Sequence, residues 1–224
     1  MKNRVVVPEY DSHTEMLEEL GIKDDYLGAS KTFVRVELSP ADGDVFSDID
    51  TWKLTVDQDI TPEWYDEDTY KPQVVEAVKE WAKDHIHVGI DNLKISAGKN
   101  HYIKDCKDVR IYGSATVKYI CGSATVEYIC DSATVEYIYG SATVEYIYVS
   151  ATVKYIYGSA TVKNAKGTSV IIGSQYGWNK KETLVLAESA TFKDCKTKTI
   201  YQSGNWELVN VSEQNGVVKK GKTN

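Results

Sequence analysis

Apolar and polar positions along this chain follow two rhythms. Between Gly113 and Lys166 one nine-residue phrase occurs six times without a slip: GSATVKYIC, GSATVEYIC, DSATVEYIY, GSATVEYIY, VSATVKYIY and GSATVKNAK. A fixed short period, with β-branched residues at constant offsets and Gly or Asp at the corner, predicts a parallel β-solenoid in which each unit is one side of a coil. A single nine-residue side cannot close a coil, so two or three units must complete each turn, for 18 or 27 residues. An unbroken strand through ATVEYI would bury Ala, Val and Tyr and leave a ridge of exposed Ile. A corner between Val117 and Ile120 avoids this. Ala115, Val117, Ile120 and their equivalents then fill the core, while Thr116, Lys118, Tyr119 and the ninth residue face outward.

The charged position of the unit bears on coil length. It reads Lys118, Glu127, Glu136, Glu145, Lys154, Lys163. Three units per coil stack every residue of this series on one of opposite sign, whereas two per coil set Glu127 beside Glu145. Like charges on adjacent strands are disfavoured, so the charges predict the 27-residue coil. ESATFKDCK restores the phrase at Glu188, 30 residues after Gly158, which fits one such coil plus three residues, with 174–182 as a protruding loop. The string KDCK at 104–107 and again at 193–196 marks imperfect terminal coils.

The first hundred residues follow the other rhythm. Ser12 and Glu15 form a capping box ahead of Met16, Leu17 and Leu20, and Gly21 ends the stripe, predicting a helix over 12–20. Alternation in FVRVEL, 33–38, and in WKLTV, 52–56, predicts two strands. Pro72 opens a second helix over 71–85, with Val74, Val75, Val78, Trp81 and Ala82 on one face. The predicted fold is therefore mainly β, with an acidic α/β cap domain over 1–100. A solenoid follows over 101–212, with repeats at 113–166 and a terminal coil near 188–210, and then a flexible tail over 213–224. A helix that must bury Trp81 suits the role of covering the solenoid's end.

Charge supports the division. Residues 1–100 carry 22 acidic and 11 basic residues, and ten of the carboxylates fall between Asp42 and Asp68 with only Lys53 for company. Such a stretch repels nucleic acid and attracts a basic protein partner. No segment approaches the roughly 18 apolar residues of a membrane span, and the start carries no signal-peptide pattern, so the expectation is a cytoplasmic protein with no membrane partner. Cys106, Cys121, Cys130 and Cys195 are too sparse for a disulfide scaffold and are expected as free thiols.

Tandem SATV units with Gly or Asp before the Ser follow a short acidic region containing EWYDE and the helix motif VKEWA. Over roughly residues 50–166 this resembles a loose group of SATV-type nonapeptide-repeat proteins of gut bacteria and bacteriophages. The resemblance implies the solenoid and a phage or mobile-element origin, with residence in the host cytoplasm; it supplies no motif of functional residues.

Chemistry is sparse. Asp84, His85, His87, His101 and Cys106 lack zinc spacing, and Asp42, Asp44, Asp48 and Asp50 lack the ligand offsets of a calcium loop, so neither metal nor cofactor is expected. Nucleophile motifs and glycine-rich phosphate loops are absent from the sequence. The Thr ladder at the fourth position is bordered by charge, unlike an ice-binding face. Cys121 and Cys130 share their slot with Tyr139, Tyr148 and Tyr157, which suggests surface filler. What repeats is tyrosine, a residue enriched at interfaces. The candidate binding residues are Tyr119, Tyr128, Tyr137, Tyr146 and Tyr155, together with Asp44, Asp48, Asp50, Asp57, Asp59, Trp64, Asp66, Glu67 and Asp68. The function expected is non-catalytic binding of a macromolecule, as an inhibitor or decoy acting on a basic host surface. Two alternatives stand beside it: a structural module that self-assembles through its solenoid edges, and a carbohydrate-active enzyme on a parallel β-helix.

Overall fold

A computed structural model describes residues 5–7, 13–22, 32–179, 184–202 and 217–220. The chain divides into two compact units, Met1–His85 and Ile86–Asn224. The solenoid therefore starts at Ile86, ahead of the boundary expected at 100.

In the first unit, α1 (His13–Leu20) precedes β1 (Val36–Ser39) and β2 (Lys53–Val56), which pair antiparallel with Val36 opposite Val56 and Leu38 opposite Leu54. The expected cap at Ser12 lies outside the described residues. Trp52 and Leu54 are buried with Leu17, Val74 and Ala82, whereas Val75, Val78 and Trp81, expected on the same helical face, are half-buried. The second helix, α2 (Glu67–His85), begins a turn earlier than Pro72 suggests. The reason is Asp66, whose carboxylate accepts the Thr69 backbone N–H at 3.1 Å and the Thr69 hydroxyl, a side-chain cap that starts the helix at once. Pro72 thus sits inside α2 and leaves the Asp68 carbonyl without its intrahelical donor.

The second unit is a parallel β-solenoid of about six two-strand coils. One sheet takes the first side of each coil: β3 (Ile86–Val88), β5 (His101–Lys104), β7 (Thr116–Cys121), β9 (Thr134–Ile138), β11 (Thr152–Gly158) and β13 (Val170–Trp178). The other takes β4 (Lys94–Ile95), β6 (Val109–Ile111), β8 (Thr125–Ile129), β10 (Thr143–Ile147), β12 (Thr161–Ala165) and β14 (Val185–Leu186). Thr143 pairs with Thr125 on one side and Thr161 on the other, so the coil holds 18 residues and two units, not 27 and three. The spacing of the last phrase follows. A seventh, divergent unit begins at Gly167, and Glu188 lies 21 residues beyond it, one coil of 18 plus three, with Ser189 N–H donating to the Gly167 carbonyl at 3.0 Å.

The inward residues are those the pattern predicts. Ala115, Val117, Ile120 and their equivalents through Ala160 and Val162 are fully buried in one continuous core. Lys118 and Tyr119 both keep partial exposure between buried Val117 and Ile120, so the bend falls within a continuous strand. Each buried Val or Ile stabilises by about 1.5–3 kcal/mol relative to its exposed state. The ninth position departs from expectation, because Cys121 and Cys130 are buried.

Both ends are irregular. β13 runs through Trp178, so residues 174–178 are strand and not loop; of the remainder of that expected loop, Asn179 is a turn residue and 180–182 lie outside the described residues. Trp178 is buried, and its Nε1–H donates to the Ala160 carbonyl at 2.6 Å. The two KDCK strings play different parts. Asp105 takes a coil corner at φ 57° with Cys106 fully buried, whereas Asp194 accepts the N–H groups of Lys196 and Thr197. That turn joins β15 (Thr191–Asp194) to β16 (Thr199–Gln202) as an antiparallel hairpin. β17 (Val217–Lys220), placed by sequence in the tail, pairs parallel with β16, the Val-Val dipeptide supplying strand propensity. The end of the expected terminal coil, 203–210, lies outside the described residues.

Corners are set by backbone conformation. The first residue of every unit has positive φ, from 58° at Glu188 to 70° at Gly140. Five of the first seven are Gly, and Asp tolerates the region, but Val149 at φ 62° does not do so readily. Val149 is 48% exposed, so little burial offsets its strain. Val149→Gly is expected to gain on the order of 1 kcal/mol, the left-handed penalty less the entropic cost of Gly, raising the melting midpoint by about 2–4 °C. Gly113→Ala should lower it, because a Cβ there would lie 2.3 Å from the Ser96 carbonyl oxygen. Thermal unfolding followed by circular dichroism checks both; a lower midpoint for Val149→Gly would show that the corner is not strained.

Candidate interaction surface

The 18-residue coil sorts the candidate tyrosines onto two faces. In the sheet of β5, β7, β9 and β11, Tyr102, Tyr119, Tyr137 and Tyr155 form one column with centroid spacings of 5.3, 5.6 and 5.1 Å. The ninth position adds Tyr139 and Tyr157, parallel within 5° at 5.3 Å, and Tyr139 meets Tyr119 edge-on at 5.9 Å. Six rings thus make one continuous patch. Tyr128 and Tyr146 belong to the opposite sheet, paired in register, with Tyr148 against Tyr128 at 5.8 Å and the Lys166 ammonium 5.7 Å from the Tyr146 ring centre. Tyr146 and Tyr155 are the most open of the five candidates, at 42% each.

At the ninth position the cysteines of the first two units are each followed, one coil on, by a tyrosine. Cys121 lies one coil below Tyr139, and Cys130 one coil below Tyr148. The small thiol leaves room for the next phenol to fold over it, and each phenol is hydrogen-bonded to its thiol. Burial, and next the bond to Cys130, push the Tyr148 hydroxyl up to about 12. Burial and the bond to Cys121 raise Tyr139 further still. Burial also raises the Cys130 thiol. These cysteines are spacers beneath tyrosines, not surface filler.

Charges flank the rings. Glu136 takes Lys118 from one neighbouring coil at 3.3 Å and Lys154 from the other at 3.2 Å. On the opposite sheet Glu127 does stand beside Glu145, but Arg110 from the preceding coil reaches Glu127 at 2.5 Å, and Lys163 reaches Glu145 at 2.6 Å. The charge pattern misled because Arg110 lies outside the six regular units, and because exposed like-charge contacts cost only about as much as exposed pairs gain, roughly 0–1 kcal/mol.

The acidic candidates belong to the first unit, and much of their charge is engaged locally. Asp42, Asp44 and Asp48 each accept a backbone N–H two residues on, from Asp44, Phe46 and Asp50. Asp50 binds Lys79 at 2.6 Å, Asp57 binds Arg35 at 2.7 Å, and Asp66 caps α2. Asp59, Glu67 and Asp68 are exposed. Trp64 packs edge-on against Tyr65 and Tyr70.

Among the described residues no group of three or more His, Cys, Asp or Glu is placed to hold a metal ion, and no helix is long and apolar enough to cross a membrane. His87 and His101 instead occupy core slots, in register with Ile103 and Val117, with His87 Nε2 3.3 Å from His101 Nδ1.

Two measurements test this geometry. Glu136→Lys would set three cations in one column; its expected cost is on the order of 1 kcal/mol at low ionic strength, shrinking as salt shortens the screening length, read from urea midpoints with and without added salt. The Tyr148 phenol ionises near 10 when unfolded and near 12 when folded. Its contribution is therefore whole below pH 10 and lost as pH rises toward 12. Stability should fall across that window, less steeply in Tyr148→Phe, as urea midpoints at pH 9.5 and 11 would show. Comparison with known proteins finds no matching family model, curated protein or solved structure.

Proposed function

We propose that the chain is a non-catalytic binding module whose solenoid presents its tyrosine-lined sheet to another protein. The observation that carries this reading is the patch of Tyr102, Tyr119, Tyr137, Tyr155, Tyr139 and Tyr157. Tyr137 lies parallel within 19° to Tyr155, and Tyr139 within 5° to Tyr157, so these rings cover one another's faces, with Tyr155 the most open of the four. Nucleobases dock on open ring faces, and in these two pairs the faces turned toward each other are covered. A protein surface instead takes amphipathic edges and hydroxyls over a large, rigid area at low entropic cost. The finer reading, an inhibitor or decoy acting on a host protein, rests on the sequence resemblance and on the acidic stretch, where Asp59, Glu67 and Asp68 remain exposed.

Self-association through the same columns is the second reading, favoured by the exposure of Tyr146 and Tyr155 on opposite sheets. The discriminating experiment is affinity capture on the full chain and on two variants, Tyr137→Thr with Tyr155→Thr, and Asp59→Asn with Glu67→Gln and Asp68→Asn, alongside light scattering over a concentration series. Loss of a captured protein only with the tyrosine variant supports recognition by the solenoid face. Loss only with the neutralised variant transfers recognition to the first unit. Concentration-dependent mass abolished by the tyrosine variant, with nothing captured, replaces the first reading with the second.

A further inference from the structure

The first unit carries an apolar groove of about 600 Å³ that its own core leaves unfilled. Met16 and Leu20 line it from α1, Phe33 and Val36 from the start of the sheet, Trp64 from the segment before α2, and Val74 from α2 itself. The groove is open to solvent, because Leu20 and Trp64 are each 37% exposed. Large apolar side chains left exposed and rimmed by polar groups mark an interaction site. Trp64 is held in place there by edge-on contacts with Tyr65 and Tyr70.

Charge selects the occupant. Residues 1–85 hold 21 acidic and 9 basic residues, a balance of −12. The two segments that bring Leu20 and Trp64 to the groove, 13–20 and 60–70, contain seven carboxylates and no Lys or Arg. Of these, Glu18, Glu63, Glu67 and Asp68 are exposed. Arg35, also on the lining, is matched by the Asp57 carboxylate at 2.7 Å. Such a field attracts a cationic partner and repels nucleic acid, anionic lipid and anionic metabolites. Shape narrows the choice further. The eight residues of α1 span about 12 Å, or two turns, with the apolar residues Met16, Leu17 and Leu20 on one stripe. A second helix laid along that stripe brings its own anchors at i, i+3 or i+4, and i+7 over about the same distance.

We propose that this groove docks a cationic amphipathic helix of a partner protein, its apolar stripe on Leu20 and Trp64 and its Lys or Arg side chains against Glu18, Glu63, Glu67 and Asp68. The site belongs to the first unit and does not draw on the tyrosine-lined sheet, so either can fail alone. The probe is a fluorescein-labelled amphipathic helix peptide built only of Leu and Lys with its leucines on one face, titrated with the full chain and followed by anisotropy. An isomer of identical composition, its leucines spread around the helix, is titrated beside it. Saturable binding is expected, about 10-fold tighter for the amphipathic peptide than for the isomer. Leu20→Glu, at a partly exposed position, should weaken binding about 10-fold although it adds an attractive charge, while circular dichroism shows the fold intact. Glu18→Gln with Glu67→Gln and Asp68→Asn should weaken it about 3- to 10-fold at low salt and flatten its salt dependence. Absence of saturable binding by the parent chain, equal affinity for the two isomers, which net charge alone would give, or undiminished affinity in Leu20→Glu would each overturn the proposal.

Discussion

In-register stacking of equivalent residues 18 positions apart is the constraint from which the second unit follows. Once Thr125, Thr143 and Thr161 share one ladder, every other position of the unit is stacked as well. Ala over Ala, Val over Val and Ile over Ile make one continuous core. Tyrosine over tyrosine makes the aromatic columns, and lysine beside glutamate makes the ion pairs. The backbone ladder sets neighbouring strands about 4.8 Å apart, close to the separation at which aromatic rings attract. The same register that forms the core therefore also assembles the candidate surface.

Departures from the phrase mark what uniform stacking cannot supply. The coils before the repeat place Asp105 at positive φ where the next coil places Gly122, and Asn92, Asn100 and Asp108 at positive φ in line with the Thr position of the repeat, because Asn and Asp bond locally and tolerate that conformation. Cys106 fills the slot that Ala takes a coil later, and His87 and His101 take slots of Ile and Val. At the other end, antiparallel pairing of β15 with β16 interrupts the parallel progression. A strictly periodic sequence would offer the same edge to any further coil, so irregular ends serve the finite length of the structure.

The first unit obeys different physics. Its carboxylates look like a binding surface when counted along the chain, yet Asp42, Asp44, Asp48 and Asp66 bond backbone N–H groups, and Asp50 and Asp57 neutralise cations from distant elements. Acidic density in a sequence and acidic potential on a surface are distinct quantities. Around Trp64 the exposed Glu63, Glu67 and Asp68 gain their meaning from the apolar groove that Trp64 lines.

The sequence by itself determined the solenoid, its inward triad of Ala, Val and Ile, the glycine-favouring corners and both helices of the first unit, because each of these is a local or strictly periodic property: burial of one face, backbone conformation, side-chain capping. Only the tertiary structure decided coil length. Two and three units per coil bury the same residues, and the choice lies in contacts such as Arg110 with Glu127 that join a regular unit to an irregular one. Coil length in turn decided which tyrosines share a face, why Cys121 and Cys130 lie beneath tyrosines, and where the first coil starts. The groove lined by Leu20 and Trp64 was likewise out of reach of the sequence, since its walls come from segments of the first unit that no period relates.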